Sequence, residues 1–194
     1  MIFTRRNMMA LVAGGLAGAV RAQDDPLKGR FGGPFDLQGA DGRRVRDSDF
    51  RGQFMLVYFG YTHCPDICPE DLLLMTEALQ LLGPEGAKIR PIFITVDPER
   101  DTAAVMQEYS ASFSPRIAGL TGTEAEIAAV ARAYRVHRRK FQPPEAAKDQ
   151  GNYIVDHSSL KYLMGPDGAF VTLVPHGVSA EKMAMILRPY LAKA

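Results

Sequence analysis

Apolar positions follow two patterns along the chain, uninterrupted runs and a spacing of three or four residues, and the change from one pattern to the other marks the predicted elements. A continuous apolar run at residues 54–59 and a mostly apolar run at residues 91–96 are typical of strands that are buried on both faces of a sheet. Between these runs, leucine and methionine recur every three or four residues, which predicts a helix over residues 68–82. Gly83 and Pro84 then end this helix. The segment therefore predicts a strand–helix–strand unit.

The rest of the chain continues this alternation. Thr102 begins a second predicted helix that reaches about Phe113, and the capping box formed by Thr123 and Glu126 begins a third helix that runs to about Tyr134. Ser179 begins a last helix that extends to about Leu191. Shorter strands are predicted at 35–37 and 44–45 around a turn, at 118–120, at 153–155, and at 162–164 and 170–174 around a second turn. Alternating strands and helices followed by an antiparallel hairpin predict an α/β protein, best matched by a thioredoxin-like fold with a mixed central sheet flanked by helices.

The first 22 residues differ from this pattern. Arg5 and Arg6 precede an uncharged run over residues 7–20, and small residues follow it. A basic start, a short apolar run and small residues are typical of an export signal, and the paired arginines resemble the twin-arginine type. A short uncleaved membrane anchor is the alternative, although the run is shorter than the ~20 residues of a usual membrane-spanning helix. Either interpretation places the body of the protein outside the cytoplasm, in the periplasm, soluble or tethered to the inner membrane.

We therefore divide the chain into three parts. Residues 1–22 form the export signal or short anchor, and residues 23–34 form a polar, turn-rich leader. Residues 35–194 form one domain, since no internal repeat or second boundary is visible. The 23 basic and 22 acidic residues give a formal net charge of only +1, so the composition does not indicate a general nucleic-acid-binding protein.

The chain has two cysteines, Cys64 and Cys68, placed where a buried strand is predicted to pass into a helix. Residues four apart on a helix lie on one face, about 5–6 Å apart at Cβ, so these sulfurs could form a disulfide or share a metal ion. A disulfide closing such a short loop would add little stability. The positive end of the helix dipole favours thiolate, the form that attacks disulfides and binds metals. A pair of inert buried thiols is the third interpretation.

Histidine is the residue type that could join the two thiols. His157 follows the strand predicted at residues 153–155, at a strand end that a thioredoxin topology would bring beside the cysteines. A lone histidine is more often structural, so the pattern alone leaves both roles open. We expect the other three histidines to have other roles. His63 would pack in its loop, and His176 would be structural. His137 would lie on a solvated basic face formed by residues 135–140.

Two thiolates and one imidazole would suit copper better than zinc. Thiolate sulfur favours Cu(I), and an imidazole nitrogen lets the same site hold Cu(II). Zinc would favour a fourth ligand, for which the sequence offers no equally good candidate.

Three segments of the chain resemble a known family. Residues 60–70, 96–102 and 155–159 are similar, in the same order, to the three signature segments of the Sco/SenC family of thioredoxin-fold copper proteins. The resemblance covers roughly residues 31–192. It implies that Cys64, Cys68 and His157 are copper ligands, and that the protein helps to assemble the dinuclear copper centre of cytochrome c oxidase.

The same resemblance draws attention to two acidic residues. Asp97 and Asp101 match the acidic segment of the family, where they would tune the site or contact the partner. A strand-end turn, with Asp101 or Thr102 near a helix start, explains them equally well.

Two functions from different classes follow from these residues. The first is a membrane-proximal metallochaperone that takes copper, for example from a donor protein, and passes it by ligand exchange to the copper-receiving subunit of the oxidase. The basic stretch 135–140 would then dock an acidic partner or simply be solvated. The second is a thiol–disulfide oxidoreductase, in which Cys64 attacks a disulfide and Cys68 resolves the intermediate. Because that reaction does not need His157, we favour copper delivery, with thiol reduction as an activity that could coexist.

Overall fold

The computed structural model describes residues 27, 29–142 and 153–192. The predicted signal or anchor over residues 1–22 lies outside the described residues, as does most of a polar loop predicted at 142–151. Strands and helices follow one another in this order: β1 (Asp36–Gln38), β2 (Arg44–Arg46), β3 (Phe54–Gly60), α1 (Ile67–Leu81), β4 (Ile89–Thr95), α2 (Ala103–Phe113), β5 (Ala118–Leu120), α3 (Glu124–Ala133), β6 (Arg138–Phe141), β7 (Ile154–His157), β8 (Lys161–Met164), β9 (Phe170–Val174) and α4 (Ala180–Leu191). Within the described part of the chain, no helix combines the length and apolar character needed to cross a membrane.

A five-stranded mixed sheet forms the core, in the order β5-β4-β3-β8-β9. β3 pairs in parallel with β4, which pairs in parallel with β5, whereas β8 runs antiparallel to both β3 and β9. Every residue of the central strand β3 is buried, as its continuous apolar run predicts. With α1 packed against α4 and α2 against β5, the architecture confirms the predicted thioredoxin-like α/β fold.

The predicted helix starts also agree with the structure. The side chains of Thr102, Thr123 and Ser179 each accept a hydrogen bond from a backbone N–H in the first turn of α2, α3 and α4 respectively. In α3 the bond is reciprocal, because Glu126 accepts from the N–H of Thr123. These bonds satisfy donors that a helix start otherwise leaves without a partner.

Two small two-stranded sheets complete the described fold. β1 and β2 form the predicted hairpin, whereas β6 and β7 form an antiparallel ribbon of which only the second strand is predicted by the sequence pattern. β6 lies in the basic stretch that we interpreted as a solvated face. Arg138 makes a two-fold ion pair with Glu124 at 2.7 and 2.8 Å, and Lys140 pairs with Glu99. The outward side chains of β6 are solvated, but its backbone pairs with β7.

Candidate metal centre

The two cysteines lie at the junction between β3 and α1. Cys68 is fully buried in the first turn of α1, whereas Cys64 lies in the preceding loop and is about half-buried. The backbone N–H of Cys68 points to the sulfur of Cys64 at 3.5 Å. Both thiols are free. The structure thus places one sulfur inside the protein and the other at its surface.

The end of β3 leaves room for the buried sulfur. A Cβ atom added to Gly60 would lie 2.7 Å from Cys68 Sγ and 2.8 Å from the Phe93 ring, closer than such atoms approach one another. Glycine is therefore required here by packing, since it lets the first turn of α1 come close to the end of the strand.

Asp101 holds the loop that carries Cys64. Its fully buried carboxylate accepts hydrogen bonds from the backbone N–H of Thr62 at 3.1 Å, the Thr62 hydroxyl at 2.6 Å and the Thr95 hydroxyl at 2.6 Å. Hydrogen bonds to a buried carboxylate are among the stronger ones in proteins. Since Thr102 rather than Asp101 caps α2, Asp101 serves the cysteine loop instead of the helix start.

His157 reaches the cysteines from the end of β7. Its Nε2 atom lies 3.5 Å from Cys68 Sγ, and its Nδ1 atom lies 3.1 Å from the backbone carbonyl oxygen of Ser158. A carbonyl oxygen can only accept, so Nδ1 carries a proton, and Nε2 is the ring nitrogen that faces the sulfurs. The Tyr61 ring packs edge-on against the imidazole, with ring centroids 5.8 Å apart.

Asp97 holds the strand that carries His157. Its buried carboxylate accepts a hydrogen bond of 2.7 Å from the Tyr153 hydroxyl and one of 2.5 Å from Arg100 Nε. Arg100 also donates to the Tyr153 carbonyl at 3.0 Å and stacks over the Tyr153 ring at 3.7 Å. Both acidic residues of the segment are fully buried, which favours a role inside the protein over contact with a partner.

Together these elements bring the sulfurs of Cys64 and Cys68 and a ring nitrogen of His157 within 4.8 Å of one another. Among the residues that the structure describes, no fourth cysteine, histidine or carboxylate belongs to this group. Three ligands, two of them sulfur, suit copper better than four-coordinate zinc.

The other histidines have different partners. His63 contacts the Thr62 hydroxyl at 3.1 Å and is largely exposed, and His137 lies 3.3 Å from Asp156. His176 contacts the buried carboxylate of Asp71 at 3.1 Å. Their positions agree with the roles that the sequence suggested, and none of the three belongs to the group of ligand atoms.

Hydrogen bonding divides the two thiols into a thiolate and a thiol. The pKa of Cys64 is lowered first by the hydrogen bond from Cys68, against the effect of burial, and then by His157 and the backbone N–H groups of the turn. The pKa of Cys68 is raised, because it donates that hydrogen bond and is buried. One negative charge therefore lies on the more exposed sulfur at neutral pH.

A cleft of about 450 Å³ opens beside this group. Cys64 and His157 line it together with apolar side chains that include Ile67, Phe141 and Ile154. A larger cleft of about 600 Å³ lies beside β5, and neither cysteine nor histidine lines it. The candidate metal centre is thus open on the side where Cys64 and His157 lie.

Three features of this region were not predicted from the sequence: the strand β6, the hydrogen bond from Tyr153 to Asp97, and a buried ion pair between Asp71 and Lys161. One signal was available for the last of these. Asp71 lies one helical turn after Cys68, on the same face of α1.

Comparison with known proteins gives one consistent result. The family model described as SCO1/SenC matches residues 23–192. The human protein "SCO1 homolog, mitochondrial" is 42% identical over 170 residues, which cover 84% of this chain and 55% of the human protein. The chain thus spans about half the length of this relative.

The solved structures that resemble this chain also belong to Sco proteins. Bradyrhizobium japonicum ScoI, determined with copper bound, has a TM-score of 0.73 and 43% identity, covering 82% of this chain and 99% of that one. BsSco, described as a member of the Sco family of cytochrome c oxidase assembly proteins with a disulfide switch, has a TM-score of 0.65 and 26% identity, covering 88% of this chain and 98% of that one.

Proposed function

The chain belongs to the SCO1/SenC family, and on that premise we propose that it is a copper metallochaperone whose Cys64, Cys68 and His157 hold one copper ion. The observation that carries this proposal is the convergence of two sulfurs and one imidazole nitrogen within 4.8 Å. The copper bound to the ScoI relative supports the choice of metal.

The arrangement suits a metal that must be held and then released. The thiolate of Cys64 and the Nε2 atom of His157 lie where they would bind the metal, and any proton on Cys68 or on Nε2 would be lost as copper enters. Three protein ligands leave a position open towards the cleft. A thiolate or imidazole of a receiving protein can therefore bind the copper before a ligand of this chain leaves, so that transfer releases no free ion.

We further propose where the copper goes. The recipient is the copper-receiving subunit of cytochrome c oxidase, in keeping with the oxidase-assembly role named for BsSco. The domain would act outside the cytoplasm and close to the membrane, as the export signal or anchor predicted at residues 1–22 implies.

Thiol–disulfide exchange is a second candidate function of the same two cysteines. The half-buried Cys64, with its lowered pKa, has the properties of an attacking thiolate. The neighbouring Cys68 can resolve a mixed disulfide. The disulfide switch described for BsSco supports this candidate.

An anaerobic titration of the reduced protein with Cu(I), and a separate titration with Cu(II), tests the main proposal. We expect one copper per chain in the wild type and no tight binding in Cys64→Ser/Cys68→Ser. Four-ligand structural metal sites bind with roughly 10–16 kcal/mol, so one ligand is worth about 3 kcal/mol, or ~100-fold in affinity. His157→Ala should therefore weaken Cu(II) binding by about this factor, while Cys64 and Cys68 still form a disulfide.

His63→Ala is the matched control, because His63 adjoins Cys64 but lies outside the group of ligand atoms. It should bind copper as the wild type does. Equal Cu(II) affinity in His157→Ala would exclude the three-ligand site. No tight binding in the reduced wild type would leave thiol–disulfide exchange as the function. Delivery is then tested by mixing the copper-loaded protein with the reduced copper-receiving domain of the oxidase and following the copper absorption of that domain.

A further inference from the structure

A fully buried ion pair lies beneath the candidate metal centre. Lys161, the first residue of β8, donates to one carboxylate oxygen of Asp71 in α1, and the exposed fractions of the two residues are 0% and 1%. The other carboxylate oxygen lies 3.1 Å from His176 Nδ1. Burying two charges costs about as much free energy as their attraction returns, so such a pair rarely makes a protein more stable than an apolar pair would. Its position therefore needs another explanation.

The pair joins α1, which carries Cys68, to β8, the strand that follows His157 in the chain. Asp71 lies three residues after Cys68, one turn further along the same face of α1. Lys161 lies four residues after His157, where the chain enters the central sheet beside β3. The Lys161–Asp71 bond thus spans the same gap as the 3.5 Å contact between Cys68 Sγ and His157 Nε2.

Its surroundings fix the pair in place. Lys161 pairs with Tyr58 across β3 and β8, and its Nζ atom lies 5.3 Å from the centre of the Tyr58 ring. Tyr58 is itself fully buried, and its pKa is raised mainly by burial, with a contribution from the nearby charge of Asp71. A buried carboxylate and ammonium in a packed interior have one good arrangement, unlike apolar side chains, which can slide past one another.

We propose that Asp71 is a positioning residue of the metal centre: its ion pair with Lys161, braced by His176, sets the spacing between α1 and the β7–β8 segment and so holds the His157 imidazole against Cys68. The cysteine side has supports of its own in Gly60 and Asp101. Loss of the ion pair should therefore displace His157 and leave the two thiols in place. This inference rests on the proposed function, because it takes His157 as a copper ligand.

Two variants test the inference. Asp71→Asn leaves a buried ammonium without its partner charge, which can unfold the protein by itself. Asp71→Asn/Lys161→Met removes both charges, so this double variant should fold while lacking the ion pair. Glu70→Gln is the matched control, since it neutralises the adjacent but exposed carboxylate of the same helical turn.

The measurements are Cu(I) and Cu(II) affinity, the electron paramagnetic resonance spectrum of the Cu(II) form, and the imidazole nitrogen chemical shifts of His157 in the metal-free protein. Groups that orient metal ligands usually change metal affinity 10–100-fold when they are mutated. We expect the double variant to bind Cu(II) about 10–100-fold more weakly, with altered nitrogen coupling and altered His157 shifts, and to bind Cu(I) within about threefold of the wild type. Glu70→Gln should match the wild type in every measurement.

Several outcomes would overturn the inference. A folded double variant with native Cu(II) affinity, spectrum and His157 shifts would show that the pair does not position the imidazole. Equal losses of Cu(I) and Cu(II) affinity, or unfolding of both variants, would show that it serves the fold as a whole. Failure of the proposed function would give a different result from failure of this inference, because the wild type itself would then bind no Cu(II) through His157.

Discussion

The cysteine side and the histidine side of the candidate metal centre are built differently. Cys68 is part of the protein core: it is fully buried against the end of the central strand β3, in a space left by Gly60. His157 ends β7, half of a two-stranded ribbon outside the five-stranded sheet, where burial varies from residue to residue. Cys68 is therefore held by the packing of the core, whereas the imidazole depends on a few tethers. On the proposed function, Cu(I) binding would depend mainly on the two sulfurs, whereas Cu(II) binding would depend on the imidazole as well.

The largest expected effect concerns the reactivity of Cys64, on the cysteine side of the centre. A thiol of ordinary pKa loses about tenfold in alkylation rate for each pH unit below that pKa, because its thiolate fraction falls. Since the pKa of Cys64 is lowered strongly, its thiolate fraction is already complete at pH 8 and should stay so on acidification. We expect the rate of iodoacetamide modification at Cys64 to change less than about threefold between pH 8 and pH 5, where an ordinary thiol would lose about a thousandfold. Cys68 should remain unmodified, as peptide mass spectrometry can show.

Two variants separate the contributions of the two sides. Hydrogen bonding from Cys68 is the main cause of the lowered pKa of Cys64, and His157 contributes less. Cys68→Ala should therefore restore a steep pH profile, while His157→Ala should change the profile only slightly. The reverse order would mean that the histidine side controls the reactive thiolate.

A smaller effect is expected from crowding the cysteine side. In Gly60→Ala the new methyl group would lie 2.7 Å from Cys68 Sγ, and overpacking of this kind costs about 1–3 kcal/mol. Urea unfolding should show this loss, and Cys68 should become accessible to alkylation. Gly33→Ala is the control for crowding away from the site, since its added Cβ would lie 3.0 Å from Ala133 Cβ; it should leave Cys68 inaccessible to alkylation. Equal stability of Gly60→Ala and the wild type would contradict the close packing described here.

The smallest effect is expected from loosening the histidine side. Tyr153→Phe removes the 2.7 Å hydrogen bond to Asp97, which should lower the free energy of unfolding by about 1–2 kcal/mol. We expect Cu(II) affinity to fall a few-fold and Cu(I) affinity to stay unchanged. Tyr109→Phe is the matched control, because the buried Tyr109 hydroxyl has no hydrogen-bond partner among the described residues. If the two variants behaved alike, Asp97 would have no role in holding the ribbon.

The sequence predicted what depends on local pattern. Hydrophobic periods and capping residues located the helices and the core strands, and the strand–helix junction at Cys64 and Cys68 is where the structure has it. The approach of His157 followed from topology rather than from its neighbours in sequence. The division into signal, leader and domain at residues 22 and 34 stays a prediction.

What the sequence did not predict depends on pairing between distant residues. β6 has no apolar alternation, because its basic side chains are exposed or paired with Glu124 and Glu99. Lys161 is fully buried, against the usual preference of lysine for the surface, and its partner Asp71 is 90 residues away in sequence. A pattern read along the chain carries no signal for such contacts.

The separation between the proposed ligands also determines when the centre can form. Cys68 and His157 are 89 residues apart in sequence, and β8, which follows His157, must insert between β3 and β9. At a synthesis rate of roughly 5–20 residues per second, the dithiol leaves the ribosome about 4–18 s before the imidazole. Contacts this distant form late in folding, because a long loop must close first. On the proposed function, copper loading would therefore follow folding, and a chain interrupted before β7 would have its two thiols without the imidazole proposed to retain Cu(II).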